Sequence, residues 1–474
     1  MSSETKTQLK FDKSIISSSE QLIPTSTLLE RLAELQDELS SLNQETIDLS
    51  SLNQYRDDLI NRKLLKHKDN GVKAFVACCI SDILRLYAPD APYTDTQLTD
   101  FFKLVLVEFK QLGDSDNGYY IQQKYLVLKL LEYRSIVLIA DLPTSPKLIE
   151  ELFAIFYNES YHFDPSLYNI MGGILGEVIS EIDSVPMPAL KIIFNKFLTY
   201  SPDDLPKGLA VASNCGYELS LLLCNKYSSR MSRQLTRYYS EILYGVTNDK
   251  NNQHSYEASV KLSRTVEKLH KLVIRLWETV PDMVASVIGF VYHELSSQDE
   301  IIRKLTTKLV AQLLISKSDV NFIATQEDTF KAWLSKIADV SPEVRIEWIQ
   351  SIPNIITKTT NISDSIGKGL AKTFIDSDYR VRKLSATVFI EVPVADIWRT
   401  IKEESVYTSL LHLTREKNRE VRELCIKAVA RFYSESIDTI GRTDDNADIW
   451  DIVDNIPNTL FNLYYINDYN INEQ

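Results

Sequence analysis

Glycine is scarce in this 474-residue chain, with 13 residues, and proline is modest at 15. So small a supply of turn-forming residues argues against a fold of many short strands. Cysteine numbers five, at positions 78, 79, 215, 224 and 425. None forms a C-x-x-C pair, so neither a disulfide framework nor a zinc site is implied, which fits a reducing compartment. Six scattered histidines show no metal-ligand spacing, and no metal or cofactor is expected. No run approaches the roughly 20 apolar residues of a membrane span, and the N-terminus lacks a signal-peptide core, so no membrane partner is expected. The G-x-x-x-x-G-K-[ST] phosphate loop, G-x-G-x-x-G and the G-x-S-x-G elbow are all missing. Carboxylates are many but spread along helix surfaces. Nothing marks an enzyme.

What is present is helix and charge. Lys and Arg total 52 against 65 Asp and Glu, a net charge of −13. As a whole the chain is a poor non-specific nucleic-acid binder, since phosphate contact is driven by Lys and Arg. The stretch Val72 to Thr94 organises the reading. Val72, Phe75, Val76, Cys79, Ile80, Ile83, Leu84 and Tyr87 follow the spacing of one buried helical stripe. Asp69 and Asn70 offer capping oxygens. Pro89 ends the helix by disfavouring helical geometry in the residue before it. Ala88-Pro89-Asp90-Ala91-Pro92-Tyr93 is then a loop stiffened by two prolines, and Thr94-x-x-Gln97 a capping box that opens the next helix.

Residues 1–26 read as a flexible tail and 27–247 as an irregular helical first half. Residues 256–474 read as a regular repeat, with the loop-like 248–255 dividing the two. Leu28, Leu32, Leu35, Leu39 and Leu42 form a short heptad seam that predicts a cap on the first repeat. Val/Ile-Arg pairs open helices at Ile302-Arg303, Val344-Arg345, Val381-Arg382 and Val421-Arg422, spaced by 42, 37 and 40 residues. HEAT repeats recur every ~40–47 residues. Asp339, Asp376 and Glu416 each lie six positions before an arginine, and Ser297 holds the fourth such place. Acid and arginine can pair along stacked inter-repeat loops. The expected fold is all-α, a HEAT-repeat superhelical solenoid. Such a fold offers a long landing surface and no deep pocket.

The VACC-type helix running into ILRLYAPDAPYT resembles the hallmark of the cohesin-associated sister chromatid cohesion regulators, the precocious-dissociation-of-sisters type built from HEAT repeats. The likeness covers the chain from about Leu59 onward. It implies a non-catalytic scaffold that binds the kleisin subunit of cohesin. The scaffold would recruit the wings-apart-like release factor and the cohesin acetyltransferase, controlling sister chromatid cohesion in the nucleus, on the chromosome. DNA would be reached only indirectly, through cohesin. Family members are much longer, so the chain is expected to be a truncated N-terminal portion. The alternative is a karyopherin-like transport adaptor that binds basic cargo on an acidic face.

Three surfaces are candidates for partner binding. The first is Ala88, Pro89, Asp90, Ala91, Pro92 and Tyr93. The resemblance implies that this loop takes short motifs from the release factor and its competitors, with Asp90 and Tyr93 displayed. The bland alternative packs Tyr93 into the core. The second is Tyr133 to Leu142. Its apolar run is either an exposed strip for kleisin, carried by Tyr133 and Val137, or a helix buried on both sides. The third is basic. Lys261, Arg264, Lys268, Lys271 and Arg275 share one helix face, and Arg230, Arg233 and Arg237 share another. If the faces adjoin, the ridge suits an inositol polyphosphate or another polyanion. Otherwise each is a solvated face.

Overall fold

The computed structural model describes residues 7–16, 23–158, 162–200, 215–253, 255–359, 363–443 and 447–465. The named elements among them are helices, and the one isolated bridge, Thr7 to Ile47, belongs to no strand. The chain divides into two compact units, Met1–Tyr238 and Tyr239–Gln474.

The first unit is built around the helix Asn70–Tyr87. Asp69 caps it, its side chain accepting from the Val72 N–H at 3.0 Å. The expected stripe is buried except for half-exposed Phe75 and Tyr87. Small residues at Ala74, Ala77 and Cys78 widen burial to most of the circumference, so neighbouring helices approach closely. Two tracks of helices result. One runs through Thr25–Ser41, Asn70–Tyr87, Tyr120–Glu132, Tyr168–Glu181 and Cys215–Lys226. The other runs through Asp95–Gln111, Ser145–Phe156 and Met187–Thr199. The leucine seam of Thr25–Ser41 packs on Asn70–Tyr87 as the expected cap.

The tail differs from expectation. Residues 7–16 are tied down, because Phe11 and Ile15 find room in the cap. Both are buried. The Phe11 N–H donates to Glu38 at 3.0 Å and the Tyr55 hydroxyl donates to the Phe11 carbonyl at 3.1 Å. Residues 1–6 and 17–22 of that tail lie outside the described residues.

In the second unit, Tyr256–Thr279, Glu300–Leu314, Pro342–Lys358, Tyr379–Glu391 and Arg419–Thr439 stack in sequence. Pro281–Glu294, Glu327–Leu334, Ser363–Phe374, Glu404–Leu413 and Ala447–Asp454 form the second track. The repeat spacing is thus a true structural period. Each repeat helix opens on a side-chain cap: Asp299, Ser341, Asp378 and Asn418 accept from backbone N–H groups at 2.9, 3.2, 2.8 and 3.0 Å. The arginines form a ladder. Arg303 pairs with Asp339, Arg345 with Asp376 and Arg382 with Glu416, so each acid serves the arginine of the preceding repeat. Each arginine also donates to a carbonyl of its own loop, as Arg382 does to Asp376 at 2.7 Å. Trp277, Trp333, Trp348, Trp398 and Trp450 are buried packing residues.

The expected divide at 248–255 is not a loop over its described length. Residues 248–253 belong to the helix Ser228–Gln253 and Ser255 caps the next helix, while the boundary between the two units falls earlier, after Tyr238. Tertiary contacts override the polar composition: Val246 packs with Leu262, Val266 and Ile302, and Lys250 pairs with Asp299.

Candidate partner-binding site

The first unit holds a cleft of about 280 Å³ that joins two of the three candidate surfaces. One wall is Ala88, Pro89, Asp90 and Ala91; the other is Tyr133, Arg134, Ser135, Val137 and Leu138, with Leu84 and Glu181 completing it. Ala88, Pro89 and Asp90 are exposed and Ala91 and Pro92 half-buried.

The loop wall starts where the Asn70–Tyr87 helix stops, at a cis Ala88–Pro89 bond. It ends at the predicted capping box. The Gln97 N–H donates to the Thr94 hydroxyl at 3.4 Å, and the Thr94 N–H to the Gln97 side chain at 2.9 Å. The Asp90 N–H donates to the Tyr87 carbonyl at 3.2 Å, fixing the turn. Tyr93 departs from expectation. It is 9% exposed, and its hydroxyl donates to the Arg56 carbonyl at 3.4 Å. Burial holds its phenol well above the usual tyrosine range. Its ring is the apolar anchor beneath the loop; a tyrosine facing inward has most of its area to gain from burial, whereas Asp90 has none.

The second wall resolves the ambiguity of Tyr133 to Leu142 by dividing it. The stretch Ser135–Ile139 is a 3-10 turn, not an α-helix. Ile136 and Ile139 are core, and Val137 and Leu138 are half-buried toward the cleft. The turn is set by Arg134, whose φ of 57° is left-handed. For a non-glycine residue that costs about 1–2 kcal/mol. The Arg134 side chain is held outside by Glu177 at 2.8 Å. Tyr133 is 40% exposed, with the Arg85 guanidinium 5.4 Å and the Lys129 ammonium 5.2 Å from its ring centre. Behind it, the Tyr125 hydroxyl donates its one proton between the two carboxylate oxygens of Asp82, at 2.9 and 3.0 Å.

Electrostatically the cleft is acidic, since Asp90 and Glu181 face it and its cation Arg134 is paired. Spacing did not reveal Glu181, Arg134 or Leu138. Glu181 arrives from a different helix, and Arg134 matters through its backbone.

The basic residues divide. Arg230, Arg233 and Arg237 fall in the first unit and the other five in the second. Arg237 is not free for a ligand, because it donates to the Val185 carbonyl. Arg275 is half-buried beside Glu278 at 3.7 Å. Lys261, Arg264, Lys268 and Lys271 are exposed along Tyr256–Thr279, and Lys261 reaches Asp249 at 2.6 Å. A shallow cleft of about 450 Å³, lined partly by Tyr256, Val260 and Arg264, opens at the start of this face.

Cys78, Cys79, Cys224 and Cys425 are buried free thiols. Burial pushes them all up, Cys425 to about 12, so they are protonated and unreactive. Among the described residues no group of three or more His, Cys, Asp or Glu is placed to hold a metal, and no helix is long and apolar enough to cross a membrane.

The sequence pattern of the Sister chromatid cohesion protein PDS5 family matches residues 26–474. The Sister chromatid cohesion protein PDS5 of Saccharomyces cerevisiae is 62% identical over 468 residues, which are 99% of this chain and 36% of that protein. Its counterpart in Schizosaccharomyces pombe is 26% identical over 475 residues, 98% of this chain and 38% of that protein. The chain therefore spans a little over a third of the length of these relatives. Among solved structures, a chain from the Pds5–Scc1 complex matches with a TM-score of 0.93 at 62% identity, covering 98% of this chain and 70% of that one.

Proposed function

The chain belongs to the Sister chromatid cohesion protein PDS5 family, and from that premise we propose that it is a non-catalytic scaffold that binds the kleisin subunit of cohesin. On this reading it also brings the wings-apart-like release factor and the cohesin acetyltransferase to the chromosome, in the nucleus. The observation that carries the reading is the meeting of Ala88–Ala91 with Tyr133–Val137 in one cleft. The likeness to a chain of the Pds5–Scc1 complex supports the kleisin part.

The geometry favours a short, extended peptide. A loop held by two prolines and a turn hydrogen bond has little freedom left to lose on binding. On the loop side Asp90 favours a regulator peptide that carries a cation, and on the other wall Val137 and Leu138 give the kleisin an apolar contact. The loop wall takes the regulator, and Tyr133 with Val137 serves the kleisin. On the second unit, the exposed Lys261, Arg264, Lys268 and Lys271 suit an inositol polyphosphate. No observation favours the karyopherin-like alternative.

The test is titration of kleisin fragments and of overlapping release-factor peptides against the wild-type protein, Asp90→Lys and Val137→Lys. Asp90→Lys is expected to weaken the release-factor peptide and spare kleisin; Val137→Lys is expected to do the reverse with its helical circular dichroism unchanged. If both partners bind both variants as well as wild type, the cleft is not their site.

A further inference from the structure

Both walls of the cleft trace back to one stretch of the N-terminal cap. On the loop side, the Gln44 amide donates to the Ala88 carbonyl. The Tyr87 hydroxyl, one residue before the loop, shares its one proton between the Leu49 carbonyl and the Asn53 amide oxygen, both at 3.1 Å. On the other side, Tyr133 rests against Arg85. Arg85 is 8% exposed and donates to the carbonyls of Leu42 at 2.8 Å and Leu39 at 2.7 Å. Those carbonyls lie at the C-terminal end of Thr25–Ser41, where helix acceptors lack the usual donor four residues on; the Leu39 carbonyl also accepts from the Leu42 N–H at 3.3 Å. A buried guanidinium with both ends of its fork committed is a rigid prop.

We infer that the segment Leu39–Asn53 is the positioning element of the cleft: Gln44 fixes the loop wall and Arg85, seated on Leu39 and Leu42, fixes the Tyr133 wall. The inference rests on the reading of the cleft as a peptide site. The Gln44 amide reaches the Ala88 carbonyl from outside the loop, so without Gln44 that carbonyl loses this side-chain bond. The loop would then sample other positions, and a peptide would have to order it on binding. Gln44 is exposed and contributes nothing to the core.

The experiment compares wild type with Gln44→Met, which is neutral, of similar length and without the donor. Lys13→Ala, which removes the Lys13–Glu34 pair in the same cap, is the control. The probe is the tightest-binding of a set of overlapping synthetic release-factor peptides. Gln44→Met is expected to bind it about five-fold more weakly, the worth of one hydrogen bond. Hydrogen exchange of the Asp90 amide is expected to speed up in Gln44→Met and stay unchanged in Lys13→Ala. If wild type binds and Gln44→Met matches it, or Lys13→Ala weakens binding equally, the inference is overturned while the cleft reading stands. If wild type binds no peptide of the set, the cleft reading fails and the inference falls with it.

Discussion

Arg345 donates through Nε and Nη2 to the two carboxylate oxygens of Asp376, at 2.7 and 2.9 Å, while its Nη1 donates to the Asp339 carbonyl at 2.6 Å. One planar group therefore closes its own loop and binds the next repeat. Lysine, a point charge without the fork, cannot do both. Both side chains are about nine-tenths buried. Removing one partner leaves the other charged and desolvated, so Arg345→Ala and Asp376→Ala are each expected to cost about 3–5 kcal/mol. The double variant Arg345→Met with Asp376→Leu is expected to lie nearer wild type than either single change. Urea unfolding followed by tryptophan fluorescence checks this; an unchanged midpoint for the single variants shows that the rung carries no stability.

The loop makes the opposite contrast within four residues. Asp90 is exposed and Tyr93 is core. Asp90→Lys is expected to leave the melting temperature within a degree or so of wild type, as surface changes usually do. Tyr93→Ala is expected to cost about 3–5 kcal/mol, the usual loss on truncating a buried aromatic residue. Tyr93→Phe is expected to be nearly neutral, because its hydroxyl contact is long at 3.4 Å. Thermal melts of the three variants decide the matter. A stable Tyr93→Ala protein with impaired peptide binding would return that ring to the docking surface.

How much of this was legible in sequence follows from what is local. The helix from Val72 to Tyr87, the capping box at Thr94 and Gln97, and the arginine ladder all rest on spacings within one or two repeats, and all appear in the structure. Family likeness located the loop. Orientation within the loop was not legible, because composition does not say which of Asp90 and Tyr93 turns inward. Nor was the left-handed Arg134, since arginine carries no signal for that backbone. Gln44 and Glu181 reach the site from elements 44 and about 90 residues from the loop, through contacts that leave no periodic trace. The same holds for residues 7–16, whose polar composition conceals the two apolar anchors Phe11 and Ile15.

The basic face of Tyr256–Thr279 gives a third prediction. Lys268 and Lys271 are exposed. Lys268→Glu with Lys271→Glu is expected to reduce affinity for an inositol polyphosphate at least about ten-fold at low ionic strength, by the loss of charge-assisted contacts. The difference is expected to shrink as added salt shortens the screening length. Isothermal titration at two salt concentrations measures both effects. Equal affinity at low salt leaves this face as ordinary solvated surface.

The last prediction concerns acid behind the cleft. Asp82 is 1% exposed, and burial pushes its carboxyl up to about 6, against the opposing pull of Tyr125 and of Arg85 at 3.5 Å. In the unfolded chain an aspartate titrates near 3.9. Between those two values the folded protein binds more protons than the unfolded one, so the contribution of Asp82 to stability is fully present below about pH 4 and is lost as pH rises toward 6. Asp339 has the opposite sign. Burial raises it too, but the hydrogen bonds from Arg303 and Ser341 outweigh burial and leave it below its ordinary value. Its contribution is therefore present above about pH 4 and lost as pH falls. The net pH curve of the whole protein mixes the two, so the comparison that isolates Asp82 is wild type against Asp82→Asn. Asp82→Asn is expected to gain on wild type between pH 4.5 and pH 7 by about 2 kcal/mol, the part of the two-unit gap that falls in that window. Urea unfolding at both pH values measures it, and carboxyl carbon NMR is expected to show Asp82 titrating near 6. A carboxyl that titrates near 4, with no pH-dependent difference between the two proteins, means that the Tyr125 hydroxyl and the Arg85 guanidinium offset burial in full.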